Sequence, residues 1–187
     1  MPLSHRLALA CAILGFAASV ASLFASPIEG VTDLDCPLKS LDCAEALGGR
    51  FSKVAGLPLG ALGGAYFAAW SAALVFSRRP GGIGFRAVAT WTLVFGAAVS
   101  VTLVGLLIFV VKSVCLYCLI THASNLAAFA LLWPGRRWRP SAGFFRSERR
   151  SLWIWAATAL LAGLLCFAVY QIRVARATVA AKAETLW

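Results

Sequence analysis

Long apolar runs, separated by short polar and mostly basic stretches, set the pattern of this chain. Five runs approach or reach the roughly 20 helical residues that a hydrocarbon core of about 30 Å requires: Leu7 to Ala25, Leu57 to Phe76, Ala87 to Val111, Cys115 to Trp133 and Leu152 to Ile172. None alternates apolar and polar positions as a barrel strand does, and a backbone crossing lipid outside a barrel must close its hydrogen bonds as helix. The pattern therefore predicts an all-α integral membrane protein with no water-soluble core.

Composition agrees with the pattern. Of 187 residues, 61% are hydrophobic and 13% charged, too apolar for an ordinary soluble domain. A net charge of +10 would suggest nucleic acid as a partner in a soluble protein. Here the arginines sit in linkers between apolar runs, where membrane topology puts them, and nucleic-acid binding is set aside.

The first run resembles a signal peptide at its start, where His5 and Arg6 precede an Ala-rich stretch and Ser19-Val20-Ala21 imitates a cleavage site. Because the apolar stretch continues past that site for a full span, it is read as a retained helix. Cys11 lacks the leucine that a lipoprotein signal carries three residues earlier, and is read as a small packing residue.

Orientation follows from lysine and arginine in the short connections. Arg78, Arg79 and Arg86 separate the second and third runs; Arg136, Arg137, Arg139, Arg146, Arg149 and Arg150 separate the fourth and fifth. Both connections should be cytoplasmic, and with Arg6 this puts the N-terminus inside and the C-terminus outside. The segment 26–56, which carries Glu29, Asp33, Asp35, Asp42 and Glu45 against Lys39, Arg50 and Lys53, then faces outward, as does the turn at Lys112 and Ser113.

That orientation gathers four of the six cysteines on one side of the membrane. Cys36 and Cys43 lie in the outward segment, Cys115 and Cys118 open the fourth helix at the same face, and Cys11 and Cys166 lie inside apolar spans. Cys115-Leu116-Tyr117-Cys118 puts two thiols one turn apart at a helix start, where free backbone N–H groups and the helix dipole stabilise a thiolate. Lys112 adds positive charge nearby. Cys36 and Cys43, with Pro37 between them, can pair with each other, or one can reach across to the helical pair. Successive thiolate attack on disulfide sulfur would make the two pairs a relay.

Two other uses compete. Four cysteines can ligate zinc, although zinc sites usually draw on a second short-spaced pair or on histidines, and neither outward segment holds a histidine. Purely structural disulfides suit an oxidising compartment, but a pair one turn apart closes too small a loop to stabilise much. A conduit passing electrons through the membrane would need thiols on both faces.

The order Cys36, Cys43, Arg50-Phe51, Gly56-Leu57-Pro58-Leu59, Gly63, Tyr66 and finally Cys115-Leu116-Tyr117-Cys118 resembles the vitamin K epoxide reductase family, especially its bacterial members, over Leu7 to Trp133. DsbB-type proteins instead place their Cys-x-x-Cys in the first outward loop. The resemblance implies a four-helix bundle around a membrane quinone, ubiquinone or menaquinone, with a short interfacial helix over Ala44 to Lys53. It implies that Cys118 faces the quinone and that Cys115 exchanges with a loop cysteine, for which Cys43 is the expected shuttle and Cys36 the contact with an external partner. That partner would be a periplasmic thioredoxin-like protein, and the setting a bacterial inner membrane.

Some positions depart from the family. Gly48 and Gly49 stand where serines often precede the Arg-aromatic pair. His122 stands where animal members have a tyrosine that binds the quinone or vitamin K carbonyl; an imidazole N–H could donate the same bond, and a histidine inside a span is costly enough to invite a function. A hydrogen bond to a neighbouring helix carbonyl would also account for it. Asn125 matches an asparagine of animal members, with helix packing as the other reading. His122 and Asn125 are the expected quinone-binding residues.

Gly56, Gly60 and Gly64, extended by Ala68, read as small-residue packing on the second helix, and Trp153 and Trp155 as interfacial anchors. The expected divisions are a catalytic domain over 1–133, a basic cytoplasmic loop over 134–150, a fifth membrane helix over 151–172 and a periplasmic tail over 173–187. Many bacterial relatives continue into a thioredoxin-like domain, so either a separate protein serves here or this chain is part of a longer fusion.

Overall fold

A computed structural model describes residues 3–28, 36, 41–78, 83–132 and 149–184. Arg79, the arginines 136, 137, 139 and 146, the acidic residues Glu29, Asp33 and Asp35, Pro37, Lys39 and Trp133 lie outside the described residues. The elements are α1 (Leu3–Ala25), α2 (Cys43–Gly48), a 3₁₀ turn (Arg50–Ser52), a hairpin of β1 (Lys53–Val54) and β2 (Leu57–Pro58), α3 (Leu59–Phe76), α4 (Ile83–Leu106) continued by a π-helical turn (Leu107–Val111), α5 (Leu116–Leu132) and α6 (Arg149–Glu184). α1, α3, α6 and the stretch Gly84–Val111 are long and apolar enough to cross a membrane, and α5 is a shorter apolar helix. The chain is a multi-pass, all-helical membrane protein.

α1 packs along α5 on one side and α3 on the other, and α3 in turn meets α4 and α6. Small residues permit these approaches. A Cβ on Gly60 would come within 2.8 Å of the Ser19 carbonyl oxygen, one on Gly63 within 2.6 Å of the Ser19 hydroxyl, and one on Gly64 within 2.8 Å of the Cys166 sulfur. One face of α3 therefore seats α1 and another seats α6. Backbone proximity of this kind replaces the hydrophobic effect, which vanishes once lipid is the solvent. Cys166 is filled in by that contact, and Cys11 packs against the main core around Phe67, Trp70 and Leu74. Trp70, fully buried, donates its indole N–H to the Ala89 carbonyl at 3.2 Å and ties α3 to α4. Trp153 is exposed, whereas Trp155 packs on the core.

Gly56 does not belong to the packing series. It lies in the two-residue turn of the hairpin at φ +80° with nothing near its Cβ position, beside Ala55 at φ 51°. Two positive-φ residues match the right-handed twist of the paired strands, and a side chain is disfavoured there. The register, Lys53 opposite Pro58 and Val54 opposite Leu57, moves the start of the second membrane helix from Leu57 to Leu59. The short interfacial helix expected over Ala44 to Lys53 is also divided: α2 ends at Gly48, Gly49 caps it in extended conformation, and the chain re-forms as a 3₁₀ turn. Gly48 is needed where serine is common in the family, because a Cβ there would sit 2.8 Å from the Pro27 ring. α6 runs unbroken past Ile172 to Glu184. At 1.5 Å per residue it is about 54 Å long, well beyond the roughly 30 Å of hydrocarbon.

Candidate functional site

One end of the bundle brings the four cysteines together. Asp42 caps α2, its carboxylate accepting the Glu45 N–H at 2.9 Å. Cys43, the first residue of α2, forms a disulfide with Cys36. The strand leading into α5 is tied to this cap: the Ser113 hydroxyl donates to the Asp42 carbonyl at 2.9 Å. Just before it, Lys112 takes the left-handed conformation, φ 55°, and turns the chain out of the π-helical end of α4; its side chain is exposed.

Cys115 stands at the N-cap position of α5. Its carbonyl accepts the Leu119 N–H at 3.0 Å, and its sulfur accepts the Cys118 N–H at 3.5 Å. The thiol thus does what a capping serine oxygen does, satisfying an amide that the first helical turn leaves open. Cys115 and Cys118 are free thiols. Cys43 and Cys115 are buried in one apolar cluster with Ala25, Leu47, Leu107 and Tyr117, and Cys36 and Cys118 pack against its edge. Cys115 is 0% exposed and Cys43 3%, whereas Cys36 and Cys118 are both partly exposed.

Deeper in the bundle, Cys118, His122 and Asn125 follow one another at i, i+4 and i+7 and so share one face of α5. Asn125, 2% exposed, accepts the Tyr66 hydroxyl at 2.7 Å through Oδ1 and donates through Nδ2 to the Ser100 hydroxyl at 2.9 Å. Ser100 is also 3.2 Å from Nδ1 of His122. The partner of His122 is thus a side chain of α4, not a helix carbonyl. Room for the Tyr66 hydroxyl comes from Gly96, where any Cβ would collide with it.

Sequence reading singled out both cysteine pairs, His122 and Asn125, quoted Tyr66 only within the order of motifs, and passed over Ser100. A lone serine between Val99 and Val101 carries no spacing signal; only the crossing of α4 over α5 joins it to the others. Among the described residues no group of three or more histidine, cysteine, aspartate or glutamate side chains could hold a metal ion.

Comparison with known proteins fits this geometry. The model of the vitamin K epoxide reductase family matches residues 6–133, from α1 to the end of α5. No curated protein and no solved structure matches the chain.

Proposed function

Because the chain belongs to the vitamin K epoxide reductase family, whose members are quinone-reducing disulfide oxidoreductases, we propose that it oxidises a periplasmic thioredoxin-like dithiol protein through its two cysteine pairs and delivers the electrons to a membrane quinone in a bacterial inner membrane. The observation that carries the reading is the single buried cluster holding Cys43 and Cys115, with Cys36 and Cys118 at its edges.

The steps balance. A thiolate of the partner attacks Cys36, breaking the Cys36–Cys43 bond and releasing the Cys43 thiolate; the second partner thiol then resolves the mixed disulfide and leaves as a disulfide. Cys43 attacks Cys115 of an oxidised helical pair and frees Cys118. Attack by Cys36 on Cys43 restores the loop disulfide and releases Cys115, so the electron pair now rests on Cys115 and Cys118.

A quinone held beside Cys118 would supply the electron sink, taking two electrons and two protons as Cys115 and Cys118 re-form their disulfide. The residues present fit such a group: among the described residues Nε2 of His122 has no hydrogen-bond partner, one turn from Cys118 and on the same face of α5. His122 and Asn125 would hold the ring carbonyl side, directly and through Ser100. In this reading the cysteines face the periplasm and the N-terminus the cytoplasm.

The test is quinone reduction by purified protein with a reduced dithiol substrate. Cys115→Ala and Cys118→Ala should lose turnover; full activity in Cys118→Ala would falsify the scheme. Zinc or copper in stoichiometric amount, with no quinone reduction, would instead favour a metal-binding or transport role for the four thiols.

A further inference from the structure

Hydroxyls inside the helices generally donate back to their own helix: Ser19 to Gly15, Thr92 to Val88, Thr121 to Tyr117. Ser100, 4% exposed, makes no such bond. Its oxygen accepts from Asn125 Nδ2, a group with protons but no lone pair to offer. The hydroxyl proton of Ser100 is therefore left for another acceptor, and the one beside it is Nδ1 of His122 at 3.2 Å. Leaving a buried donor unmade is costly, which holds the proton on this line.

We propose that Ser100 is a positioning residue that fixes the tautomer of His122. The chain of donors runs one way, from Tyr66 to Asn125 to Ser100 to His122. Its far end is set by Tyr66: a phenol oxygen could also accept from Nδ2, but the phenol proton has no acceptor among the described residues other than Oδ1 of Asn125, and satisfying it turns Nδ2 toward Ser100. Nδ1 of His122 is then an acceptor, and the ring proton must sit on Nε2. The imidazole presents an N–H donor to its unpartnered side before any ligand arrives, so a carbonyl oxygen meets a prearranged partner. In the other tautomer Nε2 would present a lone pair and repel that oxygen. Three elements contribute one residue or more each, α3 through Tyr66, α4 through Ser100 and α5 through Asn125 and His122.

This rests on the quinone reading above for its purpose, but not for its first test. The chain has two histidines, His5 and His122, so nitrogen NMR of ¹⁵N-histidine-labelled protein, with His5→Gln for assignment, reads the His122 tautomer without any quinone. The expected result is a bare Nδ1 and a protonated Nε2; a protonated Nδ1 overturns the proposal. Ser100→Ala should give a mixture of tautomers and raise the KM for a short-chain quinone by about tenfold, near the worth of one hydrogen bond. Alkylation of Cys115 and Cys118 should be unchanged, and Ser100→Thr should restore both readouts. An unaltered tautomer in Ser100→Ala, or an altered one with unaltered KM, also overturns it. Tyr66→Phe probes the same chain from its other end, with the same direction of change expected. Wild-type KM in His122→Phe would sink the assignment of His122 to the quinone while leaving the NMR result standing.

Discussion

Cys115 combines a structural task with the exchange chemistry proposed for it, and the two can be separated. Its sulfur accepts the Cys118 N–H, and a serine oxygen could accept the same bond. Cys115→Ser should therefore abolish turnover yet keep a thermal midpoint near that of the parent, whereas Cys115→Ala should lose about 1 kcal/mol of stability with the cap. A serine variant as unstable as the alanine one would mean that the sulfur caps nothing. Gly96 allows a second separation. It touches no cysteine, but a methyl there would push into the Tyr66 hydroxyl. Gly96→Ala should cost about 1–3 kcal/mol by overpacking, measured as unfolding in detergent. An unchanged midpoint would show that α3 and α4 can separate freely at this level.

Among the elements, α2 carries Cys43, and α6 packs against the C-terminal end of α1 and Ile28. α2 has only six residues, too few to be stable alone, and depends on its Asp42 cap and on the bond from Ser113. Asp42→Ala removes the carboxylate acceptor, worth about 1 kcal/mol, and should speed reduction of the Cys36–Cys43 disulfide by a small dithiol about fivefold. α6 lies beyond the family match yet reaches back to the matched part. The buried Arg173 donates to the carbonyls of Leu23 and Ser26 and stacks on Phe24, closing the C-terminal end of α1. Ile28 packs in one cluster with Cys166 and Tyr170 of the same helix. Arg173→Met should leave those carbonyls unpaired, lower stability by about 1–3 kcal/mol and loosen the segment that leads to Cys36. A variant with parental stability and parental disulfide reactivity would reduce α6 to a passive tether.

For the molecule as a whole, the central packing belongs to α1 and α3, while α6 turns Leu160, Leu161, Leu164 and Leu165 outward. A wide apolar surface is the ordinary condition of a helix facing lipid. Orientation rests on the arginines of the connections, and an impermeant maleimide reads it in intact cells. After reduction, Cys36 should be labelled from the periplasmic side, and Cys11 and Cys166 from neither side. Labelling of Cys36 only from the cytoplasmic side would invert the topology and with it the choice of thiol partner.

The all-helical membrane character, the spans and both cysteine pairs were legible in the chain itself, because hydropathy and the advantage of a thiol at a helix start are local properties of consecutive residues. Span ends were less legible: nothing local forbade Leu57 and Pro58 from opening the second helix, and the hairpin turn at Ala55 and Gly56 decided it. Gly60 and Gly64 read as packing residues, but which helix each one seats depends on how α1 and α6 lie across α3. Tertiary structure alone joined Asp42 to Ser113, 71 residues apart, and Tyr66 to Asn125, 59 apart. Such pairings have no periodicity along the chain. The first is an exposed bond that forms where the chain entering α5 passes the cap of α2; the second follows from where a part-buried polar group finds a partner once lipid has removed water as an alternative, and neither exists until the helices are side by side.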